Sequence, residues 1–207
     1  MKKYILRIIL PLIFTSCSKD NQDKIPTNPN IIWQKNIGSY TRSDVLGDMV
    51  PTLDSGYIIS SFSNGGGGDK REPEYGRGDY WIIKIDAHGQ IEWENTIGGI
   101  SADIHPSTLA SSDNGYVVFG ISSSDISVDK TENSYGYGDY WVVKLDENGN
   151  VVWDKTYGGV GQELPGKIIE NSECYLLLCS SNYPISGNKT LSKNFIEKFD
   201  LWLVQIN

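Results

Sequence analysis

Histidine and cysteine are nearly missing from this chain, and their scarcity sets aside several chemistries at once. Two histidines and three cysteines stand among 207 residues. His88 lies in a short turn motif and His105 precedes a proline, with no nucleophile or ligand cluster beside either in sequence. Cys174 and Cys179 bound the run Cys-Tyr-Leu-Leu-Leu-Cys. On a strand an odd offset places such side chains on opposite faces, which argues against a disulfide between them. Two cysteines without a nearby histidine argue equally against a metal site, so both read as small buried apolar residues. Basic residues are also short, 18 against 26 acidic for a net charge of −8. That balance argues against nucleic acid as a partner and against a basic membrane-docking surface. A helical apolar period is absent throughout.

No apolar run is long enough to cross a bilayer. The longest, from Tyr4 to Phe14, falls short of the roughly 18–20 residues a spanning helix needs. With Lys2 and Lys3 before it and Thr15-Ser16-Cys17 after it, it reads as a secretory signal over residues 1–16. The residues Phe14-Thr15-Ser16-Cys17 resemble a lipobox, which implies cleavage before Cys17 and acyl chains on its sulfur. Each buried CH₂ contributes about 0.8 kcal/mol, so a multiply acylated Cys17 anchors stably. Removing residues 1–16 takes away Lys2, Lys3 and Arg7 and leaves 15 basic against 26 acidic residues, a charge of −11. Residues 17–30 are polar, hold Pro26 and Pro29, and form a flexible tether. By resemblance to lipoprotein sorting signals, Ser18 after the cysteine implies the outer membrane, with periplasmic and surface-facing orientations both open.

What is abundant is repetition. Gly78 to Gly99 reads GDYWIIKIDAHGQIEWENTIGG, and Gly138 to Gly159 reads GDYWVVKLDENGNVVWDKTYGG. A looser copy, FDLWLVQIN, runs from Phe199 to Asn207, and IIWQKNIGS at Ile31 repeats the end of the pattern. Self-similarity at a fixed period signals one supersecondary unit stacked several times. Each unit holds strand-like runs rich in β-branched and aromatic residues: YIISSFS, YVVFGIS and YLLLCSS after Tyr57, Tyr116 and Tyr175, then the Trp81, Trp141 and Trp202 segments. Alternation puts Trp81, Ile83 and Ile85 on one face, and Trp141, Val143 and Leu145 likewise. Asp86-Ala-His-Gly89 and Asp146-Glu-Asn-Gly149 are tight hairpin turns. A weaker strand precedes each tyrosine run.

Four antiparallel strands per unit make an all-β fold of three repeats: 39–98, 99–158 and 159–207. All six tryptophans fall on two repeat positions, Trp33, Trp93 and Trp153 on one and Trp81, Trp141 and Trp202 on the other. Such strict recurrence reads as packing between neighbouring sheets. The third copy stops before its last strand, and residues 31–38 resemble that strand. A closing strand paired into the last unit would seal a ring and protect an edge.

The pattern Asp-Tyr-Trp-Val-Val-Lys-Leu-Asp-x-Asn-Gly-Asn-x-x-Trp-x-Lys-Thr-x-Gly-Gly, followed by Ser-Asp-x-Gly-Tyr, resembles repeats of bacterial secreted and lipid-anchored β-propeller-like proteins. The likeness is close over residues 139–159 and looser in the third copy, which lacks the glycines at Cys174 and Phe199. It implies a four-stranded blade and a single β-repeat domain over 31–207. Propellers usually close with at least four blades, so the alternatives are a compact three-unit ring, half of a six-bladed dimer, a remnant of a longer protein, or a β-trefoil.

The loops Ser63 to Asp79, Ser123 to Asp139 and Ser181 to Asp200 differ in every copy, and divergent loops on a repeated scaffold are where binding concentrates. Tyr75, Tyr135 and Tyr137, beside Asp79 and Asp139, are the candidates to stack on a sugar and bond its hydroxyls. Gly65 to Gly68 lacks the Lys-Ser/Thr of a phosphate loop. No cofactor and no dedicated metal site are expected. Asp125, Asp129 and Glu132 are the candidates for calcium, in a spacing that fits neither an EF-hand nor a nonapeptide repeat. The expected function is a non-catalytic binding module for a glycan or a protein. The alternatives are a glycan-active enzyme or its remnant, which needs two carboxylates about 5–10 Å apart in a cleft, and a purely structural envelope component.

Overall fold

Aspartate and glycine set the turns, and the runs between them fold as antiparallel strands. The computed structural model describes residues 30–191 and 198–207. Cys17, the signal and most of the tether lie outside them. The chain divides into two units, residues 1–32 and Trp33–Asn207, and every named strand belongs to the second. Its first sheet is β1 (Asp44–Pro51), β2 (Tyr57–Ser63), β3 (Asp79–Ile85) and β4 (Ile91–Ile97), in that spatial order. The second is β5 (Asp103–Ala110), β6 (Tyr116–Ser122), β7 (Asp139–Leu145) and β8 (Val151–Tyr157). The third holds three strands, β9 (Glu163–Glu170), β10 (Tyr175–Ser181) and β11 (Asp200–Ile206). Among the described residues there is no helix, and the protein is all-β.

The hairpins repeat in atomic detail. The Asp86 carboxylate accepts from the His88 and Gln90 amides, and Asp146 accepts from Asn148 and Asn150. Gly89 and Gly149 take the left-handed φ of 76° and 85° that closes each turn. They also lie flat beneath an indole: a Cβ on Gly149 would stand 2.7 Å from the Trp93 ring. Each turn thereby becomes a seat for a tryptophan of the preceding unit.

Alternation along the strands decides the packing. Ile58, Tyr80, Ile82 and Ile97 of the first sheet meet Tyr116, Val118, Trp141, Val143 and Leu145 of the second in one core. Val117, Phe119, Ile121, Tyr140 and Val142 point the other way and meet Ile168, Leu177, Cys179 and Trp202 of the third. The central strands β3 and β7 are buried along their whole length. Trp81, Ile83 and Ile85 do share a face, and they pack with Ile37, Tyr57, Ile59 and Ile91. Cys174 and Cys179 are free thiols, and Cys179 donates to the Trp202 carbonyl.

The first strand of each sheet carries a register shift: between Leu46 and Asp48 in β1, between Ile104 and Ser107 in β5, and opposite Leu178 and Ser180 in β9. Bulges sharpen the local bend. β5 contacts both β1 and β9, and Lys167 of β9 reaches Asp48 of β1 at 3.8 Å.

Residues 31–38, expected as a closing strand, form no strand. Trp33 instead stacks on Gly89, the Lys35 ammonium donates to the Gly89 carbonyl at 3.0 Å, and Ile37 joins the Trp81 core. Residues 33–38 thus dock on the first sheet, and among the described residues the third sheet has three strands rather than four.

Candidate functional site

The divergent loops are held by buried charge. Lys70, Lys130 and Lys189 are all buried, and the Lys130 and Lys189 ammonium groups each lie 5.7 Å from the ring of Trp141 or Trp202. A cation over an indole face is attracted by the ring quadrupole. Asp79 and Asp139 are fully buried and occupied by their own loops. Asp79 accepts from the Tyr75 amide at 2.8 Å, and Asp139 accepts from the Tyr135 and Gly136 amides. The Tyr135 ring packs toward Gly187 of the following unit, while Tyr137 is exposed. The five candidates therefore do not converge: two anchor loops, and the tyrosines sit at separate places. Of the calcium candidates, Glu132 pairs with Lys155 and takes the Thr156 amide, and Asp129 takes the Gly98 amide. Asp125 contributes its backbone carbonyl to Ser127. Among the described residues no cluster of three or more acid, histidine or cysteine side chains is placed to hold a metal.

Where sheets meet, the loop-anchoring acids find a second acid from the next unit. Burial pushes Asp79 up to about 6, helped by the nearby charge of Asp103. At the other junction burial pushes Glu163 up to about 8, helped by the nearby charge of Asp139, itself raised by burial. Asp139 Oδ1 and Glu163 Oε2 are buried without a hydrogen-bond partner. Two carboxyl groups this close cannot both ionise cheaply, so the pair keeps a proton, carried by Glu163. Buried, and engaged with one another and with their own loops, these acids serve cohesion.

A cavity of about 600 Å³ lies at the bulges of the inner strands, lined by Leu46, Phe62, Ile104, His105 and Pro106. Asp48 in it takes the Ser107 hydroxyl at 2.6 Å and faces Lys167.

A second cavity, of about 410 Å³, opens at the turn end of the junction between the first two sheets. Its walls come from both. Trp93 of β4 and Tyr116 of β6 form an aromatic side, with ring centroids 5.8 Å apart. Asp54, Lys84 and Glu92 come from the first unit, and Asn114, Glu147 and Asn148 from the turns of the second. Ala110 lies among them. Lys84 is almost wholly buried and donates to Glu92 at 2.7 Å and Asp54 at 2.8 Å. Burial works against its charge, but those two hydrogen bonds outweigh it and raise the Lys84 pKa. The Lys84 bond, with the Thr52 hydroxyl and the Gly56 amide, holds the Asp54 carboxyl well below the usual range. Three carboxylates and one ammonium around the half-buried ring of Trp93 and the buried ring of Tyr116 make a polar pocket of net negative charge.

The sequence alone does not reveal this pocket. Asp54 and Lys84 recur as Asp113 and Lys144, also joined by an ion pair, at 2.6 Å. A lysine inside a strand buried along its length is the signal that a charged site lies across the junction. Compared with known proteins, the chain matches no family model, and no curated protein is found to be similar to it.

Proposed function

We propose that the protein is a lipid-anchored, outer-membrane β-repeat module that binds a neutral saccharide, without catalysing its breakdown, in the pocket between its first two sheets. One observation carries the reading: Trp93 and Tyr116 stand beside a fringe of convergent acceptors and amides, Asp54, Glu92, Asn114, Glu147 and Asn148. Sugars present an apolar CH face and a rim of hydroxyls, and mixed aromatic and polar walls match both. The acidic surplus disfavours anionic ligands.

The binding reading is preferred to hydrolysis on the chemistry of the acids. Two carboxylates do share the cleft: Asp54 and Glu92 both contact Lys84 Nζ, so their contacting oxygens lie at most 5.5 Å apart, the sum of 2.8 and 2.7 Å. A glycosidase also needs one acid protonated near neutral pH. Asp54 is held in the opposite direction.

The arc of repeated sheets supports a propeller-like arrangement, and the Phe14-Thr15-Ser16-Cys17 sequence supports the anchor. Isothermal titration with a panel of neutral oligosaccharides tests the pocket. Binding should be lost in Ala110→Glu, which puts a carboxylate into the space from a half-buried position at the margin of the core. No heat from any saccharide, or binding that survives Ala110→Glu, would remove the pocket from the account and leave a structural envelope role.

A further inference from the structure

The contact that joins one sheet to the next is made three times within the chain. At the first junction Trp93 covers Gly149, the Asn95 amide donates to the Gly149 carbonyl at 2.7 Å, and Ile97 enters the core. The Gly98 amide donates to Asp129 at 3.1 Å, and the Asp129 amide returns to the Gly98 carbonyl. At the second junction Gly158 and Asn188 exchange the same two bonds. Trp33, Lys35, Ile37 and Gly38 make the full set against Gly89, the Trp81 core and Asp69. Residues 33–38 therefore occupy the place of a fourth strand belonging to a sheet that stands before the first.

The other end of the array has the opposite deficiency. Among the described residues, β11 has a strand partner on one side only, where β3 and β7 have two. Leu201 and Leu203 are 72% and 55% exposed, while their counterparts Tyr80, Ile82, Tyr140 and Val142 are buried. Ile169 and Leu178 add to the bare surface. An unpaired strand edge beside a row of exposed leucines is a template for another strand and another sheet.

We propose that a second copy of this chain fills it: residues 33–37 of one copy pair with β11 of the other, and the third sheet of one stacks on the first sheet of its partner. The register follows from β3 and β4, where Tyr80 faces Ile97, Ile82 faces Asn95 and Lys84 faces Trp93. Transferred by the repeat, Leu201 faces Ile37, Leu203 faces Lys35 and Gln205 faces Trp33. The core of Trp81, Ile83 and Ile85, which draws only on its own sheet and Ile37, gains the leucine face it lacks. Head-to-tail contacts either close a ring or run on as a filament. The assembly takes the closed form, two copies in a ring of six sheets through two equal junctions, because β9 lies near enough to β1 for Lys167 to meet Asp48 at 3.8 Å. This holds whether or not the saccharide pocket is correct.

Light scattering of the full chain in detergent, corrected for bound detergent, tests the assembly. The expected mass is twice that of one chain. Leu203→Lys, at an exposed position, should give the monomer at concentrations where the parent is dimeric, with an unchanged circular dichroism spectrum. In a Cys174→Ser background, Lys35→Cys with Leu203→Cys should form an intermolecular disulfide, and the off-register pair Lys35→Cys with Leu201→Cys should not. A monomeric parent overturns the proposal. So do open polymers, or a dimer that Leu203→Lys leaves intact.

Discussion

The two junctions of this protein are built on one plan, yet only the first cavity draws its walls from two sheets, while a space of about 440 Å³ beside Asp113, Lys144 and Trp153 is lined by the second unit alone. Each sets a tryptophan against the tyrosine that opens the next unit, Trp93 on Tyr116 and Trp153 on Tyr175. Each pairs a buried aspartate with an acid from the following strand. Two of the differences stand at matched positions on the inner strands, Ala110 against Glu170 and Asp103 against Glu163. At the second junction the Glu170 carboxylate accepts from the hydroxyls of Ser111 and Ser112 and from the Ser112 amide. Ser111 also meets the Tyr175 hydroxyl at 2.9 Å. Alanine at 110 leaves that volume empty at the first junction, and Thr52, Trp93 and Tyr116 line what remains. In a repeat protein, a site can arise where one copy omits a side chain that its neighbour keeps.

The sharpest way to break the comparison is to remove the shared tryptophan from each junction. Trp141 is wholly buried with its ring 5.5 Å from Tyr80. Trp202 stands on the edge strand β11 and is 7% exposed. Deleting a buried indole typically costs about 3–5 kcal/mol. Trp141→Ala should reach the upper part of that range and Trp202→Ala the lower, read from the urea midpoints at low protein concentration. Equal losses would mean that the junctions are energetically alike and that the edge position is irrelevant.

Proton linkage separates the junctions next. A carboxyl that keeps its proton in the fold and releases it on unfolding stabilises the native state fully below the unfolded pKa, and loses that contribution as pH rises through the folded one. For Glu163 the window runs from 4.5 to about 8; for Asp79 it runs from 3.8 to about 6. Stability should therefore fall with rising pH in two stages, the second junction giving way later. The Glu163 stage is on the order of 2–4 kcal/mol because the group is buried and shares its proton. Glu163→Gln should flatten the decline between pH 6 and 8, and Asp79→Asn should flatten only the lower part. A decline unchanged by Glu163→Gln would place the titration elsewhere.

Much of this architecture was legible in the residues, for a physical reason. Strands show themselves through local rules: the alternation of Tyr80-Trp81-Ile82-Ile83, the turn chemistry of Asp86 and Asp146, and the recurrence of tryptophan. Each depends on neighbours a few residues away. The pocket depends on Asp54, Trp93, Ala110 and Asn148, which belong to different units and meet only when sheets stack. Ala110 is silent in sequence because its contribution is an absence. The aspartates expected to bind a ligand, Asp79 and Asp139, are drawn inward by the amides of their own loops, which polarity alone does not foretell. The opening segment carries the repeat's fourth-strand sequence, yet it forms no strand, because strand pairing depends on a partner edge that its own residues do not specify.

Glu170→Ala is the reciprocal test, with the smallest expected effect. It removes three hydrogen bonds from a partly exposed carboxylate, a cost of about 1–2 kcal/mol. It should also extend the space beside Trp153 toward Tyr175, giving it the depth of the first pocket. Affinity should not follow. Val152 stands where the first pocket has Glu92, and no described residue supplies the wall that Glu147 and Asn148 provide at the first junction. A titration that still counts one saccharide site per chain in Glu170→Ala would show that recognition resides in the convergent polar groups. A second site of similar affinity would show instead that the aromatic pair and an empty volume suffice, and that Glu170 is all that distinguishes the two junctions.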